Sequence, residues 1–116
     1  MAIRANYTDQ VQFFGVYDVT GTLVGVFSGH PTSDTEYRAR GLYVMASVGR
    51  LGIGRALVDT VVNAASSAGR EVCWCLPRVA NVTFFQMCGF EPMSPPFSQN
   101  VEFGPNVYMA RAILPQ

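Results

Sequence analysis

At 116 residues the chain suits one compact domain, of a size that buries roughly two thirds of its unfolded surface. Eight basic and eight acidic residues balance, which excludes a nucleic-acid module held by phosphate contacts. Charged residues make up 14% against a usual ~25%, a surface poor enough in charge to predict self-association as a homodimer.

No stretch approaches the ~18 continuous apolar residues of a membrane span, and Met1-Ala2-Ile3-Arg4 lacks the apolar segment of a secretory leader. A cytoplasmic protein without membrane contact is expected.

Residues 2–9 allow one short edge strand. The run from Gln10 to Tyr17 is rich in Val, Phe and Tyr, and Asp18-Val19-Thr20-Gly21 has turn chemistry. Thr22 to Phe27 reads as the second arm of an antiparallel hairpin, ended by Gly29-His30-Pro31. Residues 31–34 then read as a surface loop, and Thr35 to Met45 as a third strand.

From Leu42 to Arg55 the pattern changes twice. Leu42, Tyr43, Val44 and Met45 are strand-prone; Gly49, Gly52 and Gly54 punctuate a turn. From Ile53 the apolar positions take helical spacing, through Leu57, Val61, Ala64 and Ala68, with Arg55, Asp59, Asn63 and Ser66 on the polar side. Gly69 is placed to cap that helix. Such a turn leaves backbone N–H groups unpaired at the positive end of the helix dipole, which suits a phosphate.

Glu71 to Leu76 has the composition of a central strand, so strand, helix and strand predict a parallel pair with a right-handed crossover. Cys73 and Cys75 would share one face of it. With Cys88 they make an odd number, and with His30 far away in sequence no metal site is assembled, so buried thiols are expected. Ala80 to Cys88 reads as a second helix ended by Gly89. A proline-rich bend from Pro92 to Pro96 and a last strand from Asn106 to Leu114 complete an α/β chain with a mixed sheet.

Three phosphate loops compete for Gly49–Arg55. A Walker A loop needs a lysine, and the chain has none. A dinucleotide fingerprint needs its glycines in the reverse order, although Glu71 stands at a suitable distance. The third is the loop Gln/Arg-x-x-Gly-x-Gly/Ala. Gly49-Arg50-Leu51-Gly52-Ile53-Gly54 resembles it at both later glycines, with Gly49 at the first position.

That loop is the signature of the GNAT superfamily of acyl-CoA N-acyltransferases. Further resemblance lies in Leu42-Tyr43-Val44, similar to the Leu-x-Val entering the loop. It also lies in Phe84-Phe85-Gln86-Met87-Cys88-Gly89-Phe90, similar to the family's Phe-Tyr-x-x-x-Gly-Phe, with Asn81 a looser match. The resemblance spans roughly residues 11–114 and makes residues 1–116 one GNAT-like, acyl-CoA-binding domain.

It implies that the fourth strand bulges and splays from the fifth, with acetyl-CoA in the wedge. The pantetheine arm would run along Leu42, Tyr43 and Val44, and the pyrophosphate over Gly49, Arg50, Leu51, Gly52, Ile53, Gly54 and Arg55. Asn81, Phe84 and Phe85 would complete that wall. The Val44 N–H would stabilise the oxyanion as an amine, on a protein or elsewhere, attacks the thioester directly.

The resemblance also exposes departures. Phe85 stands where the family has a tyrosine as general acid; Tyr43, Tyr108 and Ser47 are replacement candidates. An amine of pKa about 10.4 needs a base, for which Glu36, Asp34 and His30 are candidates. The two helices that usually wall the acceptor pocket have no room before the hairpin. The alternative reading is a degenerate member that binds a partner protein and transfers nothing.

Overall fold

A computed structural model describes residues 2–8, 11–49, 51–99 and 104–113. Among these residues the strands and α-helices follow in chain order as β1 (Ala2–Thr8), β2 (Val11–Tyr17), β3 (Leu23–Pro31), β4 (Glu36–Val44), α1 (Ile53–Ser67), β5 (Val72–Cys75), α2 (Val82–Met87), β6 (Glu91–Pro92) and β7 (Met109–Ala112). The strands form one sheet in the order β1-β2-β3-β4-β5-β7-β6.

β1 is an edge strand paired along β2, and among the described residues no helix stands between them. The turn from β2 to β3 is built on Asp18, whose carboxylate accepts from the Thr20 and Thr22 N–H groups at 2.9 and 3.0 Å. Those bonds, with the Thr20 hydroxyl foremost, hold the Asp18 carboxyl below its ordinary pKa.

β3 runs on through Gly29, His30 and Pro31, which the sequence reading places at the strand's end and in a loop. The tertiary setting explains it. Gly29 faces the Tyr37 ring and Val61, which fill the space of a side chain, and Pro31 is the last paired residue, opposite Tyr37. The final strand is also shorter than Asn106–Leu114: β7 covers Met109–Ala112, and Leu114 lies outside the described residues. Within the proline-rich bend, Glu91–Pro92 pairs with β7 as β6.

α1 ends as expected. Ala68 is its C-cap, the Gly69 N–H donates to the Ser66 carbonyl at 3.0 Å, and the Arg70 N–H to the Ala65 carbonyl at 3.1 Å. Its apolar stripe packs on β3 and β4 through Ile53, Leu57, Val58, Val61, Val62 and Ala65, all buried. The sequence stripe through Ala64 and Ala68 drifts from this, and Ala68 is exposed. Arg111 ties β7 to both helices, donating to the Cys88 carbonyl at 2.8 Å and reaching the Asp59 carboxylate at 3.8 Å.

The decisive geometry is the parallel pair. β4 and β5 pair only through Glu36↔Val72, Tyr37↔Cys73 and Arg38↔Trp74. Beyond Arg38, β4 stays on β3 while β5 ends at Cys75 and Pro77 turns the chain away. Between Val26↔Tyr43 and Ser28↔Arg40, β4 carries one residue more than β3, a bulge at Gly41 and Leu42. Gly41 adopts φ +78 there, a left-handed conformation open to glycine at little cost.

Candidate active site

The parting of β4 from β5 opens a cleft of about 890 Å³. One wall is β4 from Arg38 to Val44, the other Cys75 to Arg78, and the roof is the α1 N-terminus with Asn81, Phe84 and Phe85.

At the roof, Gly52 is the N-cap of α1 with φ +76 and no side chain caps the helix. The first intrahelical bond is from Ala56 to the Gly52 carbonyl at 3.0 Å, which leaves the Ile53, Gly54 and Arg55 N–H groups without helical partners. No acidic residue sits in that first turn to offset the dipole. A Cβ on Gly54 would stand 3.2 Å from the Phe84 ring and 3.6 Å from Val44, so this residue lets the helix close on both walls. The arrangement is suited to cradle an anion at the α1 end of the cleft.

Along the wall, the Met45 N–H donates to the Val24 carbonyl at 2.8 Å. Gly25 and Val44 are therefore a non-hydrogen-bonded pair, and the Val44 N–H turns from β3 toward the cleft. An extended chain laid in the cleft meets that donor as it would meet the edge of a sheet.

The structure gathers Leu42, Val44, Gly49, Gly52, Gly54, Arg55, Asn81, Phe84 and Phe85 around this space. Other expected residues fall elsewhere. The Tyr43 side chain does not line the cleft and is half exposed. Leu51 borders a separate hollow beside Ile3 and Val16, and the Ile53 side chain enters the core, so only their main chain belongs to the turn. Arg50 lies outside the described residues.

The candidate bases are not in the cleft. Glu36 starts β4 at the paired end, within 3.4 Å of the Ser33 hydroxyl, and Asp34 is in the exposed turn before it. His30 lies on β3 opposite Arg38, one strand removed from the opening. Burial, then Arg38 and Arg40, lower its pKa and favour the neutral ring. Nor do the replacement acids reach it. Ser47 is exposed, and Tyr108 packs on Trp74 at 5.6 Å between ring centres. Phe85 is buried among Phe27, Phe84 and Phe90.

Residues that the motifs do not mark line the cleft as well. Arg38, Arg40 and Arg78 join Arg55, and among the described residues no Asp or Glu does. Alternate positions on β4 are the one signal that Arg38 and Arg40 share a face. Asn106 is buried, donates to the Leu76 carbonyl at 2.6 Å, and leaves its Oδ1 without a hydrogen-bond partner at the cleft. Only the fold brings it there, 30 residues along the chain from the Leu76 carbonyl it holds.

All three cysteines are buried free thiols. Burial pushes Cys73 up to about 12 and raises Cys75 and Cys88 too, so none is a thiolate nucleophile. Among the described residues, no group of His, Cys, Asp and Glu is placed to hold a metal ion.

A mixed sheet splayed at its parallel pair, with a glycine-turned helix N-terminus over the opening, defines the class of acyl-CoA N-acyltransferases. Residues 9–92 match the acetyltransferase (GNAT) domain family, and the chain belongs to it.

Solved structures agree on the fold. An inferred N-acetyltransferase from Lactobacillus plantarum superposes with TM-score 0.81 at 20% identity, over 92% of this chain and 72% of that one. Nourseothricin acetyltransferase gives 0.80 at 16% identity, over 91% and 67%. Aminoglycoside 6'-N-acetyltransferase complexed with coenzyme A gives 0.77 at 18% identity, over 93% and 76%. No curated protein matches the sequence. Among the described residues, no helix is long and apolar enough to cross a membrane.

Proposed function

We propose that the protein transfers an acetyl group from acetyl-CoA to an exposed amine, on a protein or peptide, by direct attack. The observation that carries this reading is the open wedge between β4 and β5 with uncapped N–H groups at one end. The Ile53, Gly54 and Arg55 amides would hold the pyrophosphate, with the Arg55 side chain beside it. The Asn106 Oδ1 is an acceptor suited to a pantetheine amide. The Val44 N–H would bind the carbonyl oxygen as it gains charge.

The amine lone pair forms the C–N bond at the thioester carbon. The C–S bond then breaks, and the sulfur leaves with its electron pair. The nitrogen gives up its proton to water, and the thiolate takes one back from solvent. A free thiol has pKa about 8.5, so its anion is a tolerable leaving group without a phenol.

Among the described residues no helix lies between β1 and β2, and an acceptor side left open in this way suits a large acceptor or a second copy of the chain. We place the protein in the cytoplasm, where acetyl-CoA is available. The buried Phe85 favours a second reading, a partner-binding member without transferase activity. Incubation with acetyl-CoA and lysine-bearing proteins separates the two. An acetyl mass increment that requires the protein supports transfer, and its absence across such substrates supports the second.

A further inference from the structure

The cleft has two mouths. One lies under α1 and α2 and holds the anion cradle. The other opens on the opposite sheet face, which no helix covers among the described residues. Pairing assigns the residues to these faces. Ala39 is opposite Gly29, whose missing side chain would meet Val61 of α1, so Tyr37 and Ala39 face the helix and both are buried. Arg38 and Arg40 alternate with them and face the uncovered side.

This pair is built rather than incidental. Arg38 is half-buried, its guanidinium lies 5.0 Å from the centre of the Trp74 ring, and its Nε is buried without a hydrogen-bond partner. The Arg40 backbone is pinned by the Ser28 hydroxyl, which donates to its carbonyl at 2.6 Å. Positions two apart on a strand stand about 6.6 Å apart, a span that lets two guanidiniums grip neighbouring anionic groups. Among the described residues neither forms an ion pair with a carboxylate: the nearest acid on β4, Glu36, turns to Ser33.

We propose that Arg38 and Arg40 select an acceptor whose amine lies beside a carboxylate, as on an acidic peptide segment or a free amino acid. This inference rests on the transferase reading. The same charges that hold the carboxylate disfavour an ammonium in the opening, so they promote loss of the amine proton before attack. A polycationic amine, by contrast, meets repulsion there.

The test compares a peptide carrying Asp and Glu next to its free amine with its Asn and Gln isostere. Free glutamine and its α-amide form a second pair, and spermidine stands as the polycation. CoA release gives kcat/KM, and emission of Trp74, the only tryptophan, reports binding on Arg38 without turnover. The acidic member of at least one pair is expected to exceed its amide by about tenfold, the scale of a charge-assisted contact. Which pair responds identifies the carboxylate source.

Arg38→Gln and, at an exposed position, Arg40→Gln should each bring that ratio near one through KM, with acetyl-CoA affinity by calorimetry retained. Equal use of acid and amide in both pairs, or preference for spermidine, overturns the proposal. A protein that binds no acetyl-CoA ends the transferase reading instead. The emission titration then still decides this one, because a saturable response confined to the acidic probes and lost in Arg38→Gln supports it and no such response overturns it.

Discussion

Gly52 carries the most consequence per atom. Its φ of +76 costs glycine little, and no atom lies within 4 Å of where a Cβ would stand, so Gly52→Ala acts through backbone strain alone. The expected cost is about 1–2 kcal/mol, seen as a lower Tm. Relief of that strain re-aims the first-turn amides, so calorimetry should show weaker acetyl-CoA binding in the same variant. Phe85 bears on chemistry rather than binding. It lines the cleft at the position the family resemblance aligns with a phenol, and Phe85→Tyr would supply a proton donor for the departing sulfur. Steady-state kinetics on this variant should show kcat raised about tenfold with the KM for acetyl-CoA unchanged, a modest share of what general acids contribute.

At the scale of elements, what could be read from the sequence was what local pattern determines. Leu42 to Val44, the glycines and the stripe from Ile53 mark a strand, a turn and a helix, as a continuous apolar run gives way to helical spacing. The parallel pair followed from spacing, and Phe84 and Phe85 marked the roof of the cleft. Distant contacts settled the rest. Gly29 and Pro31 look like a strand's end until the Tyr37 ring is seen filling the gap. Asn106 reaches the cleft only because β7 crosses beside β5, and Glu36 and His30 miss it because the sheet opens beyond them.

β5 has a pH signature of its own. Burial holds the Cys73 thiol up to about 12 against an ordinary 9.0, and Cys75 shifts the same way. The folded state therefore keeps protons that the unfolded chain releases above pH 9. The contribution is complete below that pH and is lost as pH rises toward 12. Thermal melts should show Tm falling across this window, with a shallower fall in Cys73→Ala than in the parent.

For the whole molecule, one sheet does two jobs by being closed at one end and open at the other. The bulge at Gly41 and Leu42 and the turn at Pro77 part the strands, while α1 packs across β3 and β4 and brings its N-terminus to the opening. On the proposed reading, donor and acceptor would meet from opposite faces without a protein nucleophile, and positioning would supply much of the rate. Calorimetry of acetyl-CoA against the parent and Gly54→Leu, whose side chain would press on Phe84 and Val44 inside the opening, tests this most directly. The account expects single-site micromolar binding by the parent and at least about tenfold weaker binding by the variant, a loss of ~1.4 kcal/mol. No heat from the folded parent, or equal affinity in the two, would contradict it.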